Sequence, residues 1–216
     1  MKKVGIIGSG LVGQEIGSGF IKHGFQLMIG TRNVESIASW AESNGENAFL
    51  GSFSDAAKFS DFLVFAVKGT AALDVLDLCG IENLDSKTII DTTNPISDST
   101  PENGVLNYFT DINFSLMEML QEKAPKANFV KCYSSVGGPH MIEPKFDEKP
   151  SLFICGDNDS AKKNVIDILD MFGWEAVDMG SSQSARAIEP LAMLWCIPGY
   201  QHNKWDHAFK LLKKWD

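Results

Sequence analysis

Nothing in this chain approaches the about 20 consecutive apolar residues that a bilayer-crossing helix requires, so no integral span is expected. Cations are scarce as well: 19 Lys and Arg stand against 28 Asp and Glu, a formal net charge of −9. That balance excludes the broad basic surface that nucleic acid or an anionic membrane selects. It leaves room for a phosphorylated small molecule, whose site needs only local amides and one or two cations. The four cysteines (Cys79, Cys132, Cys155, Cys196) are far apart, with neither CxxC nor metal-ligand spacing. Neither a metal centre nor a disulfide framework is expected, and buried thiols in a reducing cytoplasm are. HExxH is missing too, as is any convincing Ser-His-Asp or Cys-His set. There is no internal repeat or low-complexity tract.

Glycine, by contrast, is concentrated. Five of the 19 fall between Gly8 and Gly19, in MKKVGIIGSGLVGQEIGSGFIKHG. Two lysines before an apolar run could open an export signal, but Val4 to Ile7 is a short run, and Gln14 and Glu15 break the apolar character beyond it. Strand, tight turn and helix fit better. Lys3 to Ile7 suits a buried parallel strand, and Gly8-Ser9-Gly10-Leu11-Val12-Gly13 matches G-x-G-x-x-G. There the first glycine makes the turn, the second lets a pyrophosphate approach bare backbone, and the third lets helix and strand pack closely. A helix from about Leu11 to His23 aims its unpaired amides at the same anion.

Short strands then alternate with helices: strands at 25–30, 48–50, 61–67, 88–91 and 128–133, helices at 34–43, 53–59, 70–79 and 115–123. A strand at 151–155, a helix at 160–172 and a further strand at 175–178 come next. Such alternation predicts an α/β fold, a doubly wound parallel Rossmann sheet, with ligands at the carboxyl ends of the strands. It is assigned to residues 1–180, with a small helical C-terminal extension, 181–216, that closes the cleft or forms a dimer interface. Two long polar segments, 91–105 and 134–149, read as functional loops.

An acid about 20 residues past the glycines ordinarily binds the ribose 2′-hydroxyl of NAD. Here that position reads Gly30-Thr31-Arg32-Asn33, with no acid before Glu35. A guanidinium suits a 2′-phosphate and a carboxylate would repel one, so NADP(H) is the expected cofactor.

These stretches, with DFLVFAV, DTTNP, VKCYSSVGG, the GDNDSAKKNVIDILDMFGWEAVDMG unit and SARAIEPLAMLW, resemble the NADP-dependent oxidoreductases typified by NADPH:coenzyme F-420 reductase. The chain is also similar to the cytosolic reductase domain of the six-transmembrane metalloreductases. The resemblance runs from about residue 3 to 200. It implies that Ser9, Leu11 and Val12 join Gly8, Gly10 and Gly13 around the phosphates, and that Thr31, Arg32 and Asn33 hold the 2′-phosphate. Ala66, Val67 and Lys68 would lie along the cofactor, Asn94 and Pro95 near its nicotinamide. Ser135 and Val136 would face the second substrate. Lys68 departs from the family pattern; it either reaches the phosphates or is solvated. The Gly137-Gly138-Pro139-His140-Met141 segment departs too and leaves the acceptor open.

Hydride transfer to a flavin-like or deazaflavin-like acceptor needs no acid or base from the protein. A carbonyl or imine acceptor needs a proton donor, for which His140 is the candidate. A non-catalytic NADPH sensor is the third reading. Arg186 and Glu189, three apart on a helix, read as a surface ion pair; Ile188, Leu191, Leu194 and Trp195 read as core. Trp205, Phe209 and Trp215 are candidates to complete a homodimer interface.

Overall fold

The computed structural model describes residues 2–214; the expectation for Trp215 lies outside them. Six strands, β1 (Lys3–Ile7), β2 (Gln26–Gly30), β3 (Ala48–Gly51), β4 (Phe62–Phe65), β5 (Thr88–Asp91) and β6 (Asn128–Lys131), form one sheet in the order β3-β2-β1-β4-β5-β6. Every neighbouring pair is parallel. The chain winds outward from β1 in one direction and from β4 in the other, so the switch point lies between those two strands.

Successive strand residues point to opposite faces, and both faces are covered. Ile6 and Val64 join one core with Ile16 and Phe20 of α1 (Leu11–Lys22) and Val165 and Leu169 of α6 (Asp159–Met171). Ile7, Leu63 and Phe65 join the other, against α3 (Phe53–Phe59), α4 (Ala72–Cys79) and α5 (Leu116–Lys123). Capping boxes at Ser52–Asp55 and Ser115–Glu118 start α3 and α5. The expected helix at 34–43 divides into a 3-10 turn, Glu35–Ile37, and α2 (Ala38–Asn44). β6 stops short of the expected 133, where Tyr133 takes a left-handed φ of 59°. β7 (Ser151–Ile154) and β8 (Glu175–Asp178) make a separate parallel pair, joined to β6 by one antiparallel bridge, Lys131 to Cys155. No helix among the described residues is long and apolar enough to cross a membrane.

The C-terminal segment departs most from expectation. Pro190, which has no N–H to carry a helix through, separates α7 (Ala185–Ile188) from α8 (Leu191–His202). The single helical phase assumed for 185–196 is lost, and Leu194 is 56% exposed rather than core, while Ile188 and Trp195 are buried. The helix ends at Asn203, in the left-handed region, and residues 203–214 carry no helix. They run instead as a strap. Ser151 N donates to Phe209 O, Leu211 N to Ser151 Oγ, and the His207 ring stacks on Trp195 at 5.0 Å.

Arg186 and Glu189 do not pair with each other. Arg186 grips Glu118 with Nε and Nη2, at 3.0 and 2.5 Å. Glu189 is buried, 2.8 Å from Lys131 Nζ, and caps α5 by accepting Leu116 N and Met117 N, both at 3.0 Å. Lys131 Nζ also lies 2.6 Å from Asp91 Oδ2. Spacing along one helix cannot reveal partners 58 to 73 residues away in sequence. Burial opposes the charge on Lys131, but the Asp91 and Glu189 carboxylates outweigh it and hold its pKa above the usual ammonium value.

Glu189→Ala leaves Lys131 short of a buried counter-charge and uncaps α5, and should cost about 3–5 kcal/mol in urea unfolding; a loss under about 1 kcal/mol would contradict this account. Lys210 and Ser151 hold the Glu175 carboxyl, which anchors the strap, down at about 2 from 4.5. A depressed carboxyl contributes stability in full above its unfolded value and loses it as pH falls through the folded one. The stability gap between the native chain and Glu175→Gln should therefore be present at about pH 6 and close between about pH 4.5 and 2. A gap independent of pH would show that the carboxylate charge is irrelevant.

Candidate functional site

At the carboxyl ends of β1, β2 and β4 lies a cleft of about 340 Å³, lined by Gly8, Ser9, Gly10, Thr31, Arg32, Asn33, Ser36, Phe53, Ala66, Val67, Lys68, Ala71 and Val75. A larger hollow, about 460 Å³, opens elsewhere between Phe25, Phe62 and Ile168, and no predicted site residue lines it.

Glycine is required at the turn. Gly8 has φ 119°, and a Cβ there would lie 2.2 Å from the Ala66 carbonyl oxygen. A Cβ on Gly13 would fall 2.2 Å from the Gly8 oxygen, so α1 could not approach β1. Gly10 meets nothing within 4 Å and caps α1 without a side-chain hydrogen bond, leaving bare backbone toward the cleft. Gln14 Nε2 donates to Ser9 O at 2.8 Å and steadies the turn. Ser9 and Thr31 hydroxyls meet at 2.9 Å across the mouth between β1 and β2.

Beyond β2 the loop is preorganised. Asn33 Oδ1 accepts Glu35 N at 3.0 Å, and Ser36 Oγ donates to Asn33 O at 2.7 Å. Arg32 is exposed and forms no ion pair among the described residues, so its guanidinium is available. Lys68 pairs with Asp98 at the rim. Leu11 is 78% exposed beside the turn, and Val12 is half-buried.

The far end is built around Asn94 and Pro95. The Asn94 carbonyl lies so close to Gly69 that a Cβ there would sit 2.0 Å away, and Asn94 Nδ2 donates to Ser134 O at 3.3 Å. Asn94 Oδ1 and Ser134 Oγ are buried without a hydrogen-bond partner among the described residues. Such atoms are costly unless something else satisfies them. Ser135 and Val136 are buried, Val136 within the core beneath α1. His140 stands apart, its Nε2 3.1 Å from Asp206 and its ring 4.9 Å from that of Phe146. The C-terminal extension lines none of the 340 Å³ cleft; it meets the loop after β6, where Trp195 packs on Gly137. Burial pushes the Cys79 and Cys155 thiols up to about 12, so neither is a ready thiolate.

Residues 3–95 match the family model of the NADP oxidoreductases, coenzyme F420-dependent. Over those residues, a little under half of the chain, the protein is similar to that family. The chain is 26% identical over 200 residues to metalloreductase STEAP3 of Rattus norvegicus and to STEAP2 of Homo sapiens, covering 91% and 90% of this chain. It spans 38% and 37% of the lengths of those relatives. A protein from Arthrobacter sp. FB24, provisionally assigned to the F420-dependent NADP-reductases, superposes with a TM-score of 0.91 over 99% of this chain and 100% of its own, at 24% identity. An imine reductase from Aspergillus terreus, crystallised with NADPH4, superposes with a TM-score of 0.68 over 93% of this chain and 62% of its own, at 17% identity. At those identities the superpositions establish the fold.

The matching family model is that of NADP oxidoreductases, and the residues present fit NADP(H). The α1 amides beside Gly10 lie at the cleft, where they would meet a pyrophosphate, and Arg32, Thr31, Asn33 and Ser36 would offer a 2′-phosphate donors and no carboxylate. Ser36 was not legible in the sequence as part of the site; it is brought there by the 3-10 turn that replaces the expected helix start.

Arg32→Ala should weaken NADPH binding by about 10–100-fold, as loss of a charge-assisted phosphate contact does. NADH binding should move by no more than about twofold. Calorimetric titration of both cofactors checks this, and equal weakening of the two would refute the assignment.

Proposed function

We propose that the oxidoreductase passes a hydride between NADP(H) and a flavin-like, deazaflavin-like or other small organic acceptor. The observation that carries the reading is the character of the cleft. Its lining contains Arg32 and Lys68 but no carboxylate, histidine, cysteine or tyrosine. Such a wall can bind and orient the phosphate half of the cofactor, and at the other end Asn94, Ser134, Ser135 and Val136 include no acid or base. That suits transfer between two rings, where the cofactors carry the chemistry. NADP(H), when bound, supplies or receives the hydride at its nicotinamide. The protein's part is positional: the Gly8–Gly13 turn and Arg32 hold the phosphates, and Asn94 and Ser134 present two unpaired oxygens at the nicotinamide end. Ser135 and Val136 belong to the acceptor side in this reading.

Carbonyl or imine reduction is the second reading, and the loop that carries His140 favours it. The His140 ring is half-buried against Phe146 and is held by Asp206 of the strap. Its contacts, however, are with the strap rather than with Asn94 or the cleft. The setting proposed is the cytoplasm. The assembly proposed is a homodimer through the C-terminal helices, where Leu194 and Tyr200 stand exposed on α8.

Mixing protein and NADPH with a panel of flavins, deazaflavins, ferric chelates, carbonyls and cyclic imines, and following cofactor absorbance, tests the reading. Oxidation with a flavin or deazaflavin that survives His140→Ala is the expected result. Turnover only with carbonyls or imines, abolished by His140→Ala, would transfer the chemistry to the second reading. Tight NADPH binding with no turnover anywhere would make the protein a sensor.

A further inference from the structure

Lys131 ends β6, the last strand of the six-stranded sheet, with its side chain fully buried, flanked by Val130 and Cys132. An aliphatic side chain would fill that space without burying a charge, and buried ion clusters are often no more stable than apolar replacements. The cluster therefore calls for a role besides stability, and its contacts point to one. Lys131 Nζ donates to Thr93 O at 2.7 Å, while Thr93 N and Oγ1 both donate to Asp91 Oδ1, at 2.9 and 2.7 Å. Thr93 is thereby gripped through its amide, hydroxyl and carbonyl. The next residue is Asn94, whose side chain reaches Ser134, three residues beyond Lys131 on the chain leaving β6. A closed circuit results: Lys131, Thr93, Asn94, Ser134 and back along the backbone. Of the four buried side-chain oxygens without a hydrogen-bond partner among the described residues, Asn94 Oδ1 and Ser134 Oγ belong to it.

We infer that Lys131 is a positioning residue: clamped between Asp91 and Glu189, it fixes the Thr93 carbonyl and so sets Asn94 and Ser134 to receive the nicotinamide end of the cofactor. The inference rests on NADP(H) occupying the cleft in the proposed orientation. Glu189 extends the circuit to the C-terminal helices, since it also caps α5, and its own carbonyl accepts Tyr108 Oη at 2.6 Å. The extension thus acts on the cofactor through a buried cation rather than by covering the 340 Å³ cleft.

The adenosine half of the cofactor lies at Gly8–Arg32, on the other side of the switch point, and provides the control. Calorimetric titration of native protein, Lys131→Met and Glu189→Gln with NADPH and with 2′,5′-ADP separates the two ends. In Lys131→Met, NADPH should bind about tenfold more weakly while 2′,5′-ADP stays within about twofold. Glu189→Gln should show the same split to a smaller degree, and carries the comparison if Lys131→Met does not fold. A general loosening of the fold would weaken both ligands together. Equal weakening, or unchanged affinity for both, in a folded variant overturns the positioning role and leaves the cofactor reading intact. Failure of native protein to bind 2′,5′-ADP would instead overturn the cofactor reading, and this inference with it.

Discussion

A single buried ammonium ties the two halves of this fold together. Lys131 has no solvent to turn to, so its charge must be met from inside, and the groups that meet it come from two distant places: Asp91 and the Thr93 carbonyl at the end of β5, and Glu189 between the two C-terminal helices. Removing any one leaves the others uncompensated in a medium that screens poorly. The α5 amides accepted by Glu189 supply the remaining positive potential, so two carboxylates can share one cation without excess charge going unmet. The carboxyl ends of β5 and β6, the start of α5 and the C-terminal helices are therefore one unit rather than neighbours.

The other half of the site has opposite electrostatics. At the β1–β4 switch point no buried side-chain charge is used; binding is left to backbone amides exposed where side chains are absent, and to one guanidinium at the surface. That arrangement is how a chain of net charge −9 presents an anion site. The attraction is local and directional, supplied by the turn at Gly8–Gly13 and by Arg32, while the overall field is unfavourable to polyanions in general.

In the proposed reading, labour is divided along the sheet edge. Binding energy would be gathered at the Gly8–Arg32 end, whereas the other end would supply geometry through Asn94, Gly69 and Ser134, whose contacts tolerate no added atom at Gly69. The titratable side chains nearest the chemistry in sequence, Lys131 and Asp91, are locked to each other.

How much of this was legible in the sequence depends on the range over which each feature is decided. The parallel sheet and the glycine turn were readable because each is encoded within about 20 residues, by apolar strands and obligatory glycines. Lys131 offered a faint signal, a lysine inside an otherwise apolar strand, that pattern alone could not distinguish from an edge residue. The partners of Arg186 and Glu189, the exposure of Leu194, the strap at 203–214 and the orphaned oxygens of Asn94 and Ser134 were decided by the tertiary structure. Each depends on residues tens of positions apart, or on the break at Pro190, and a buried charge selects its counter-charge by position in space, which no local periodicity records.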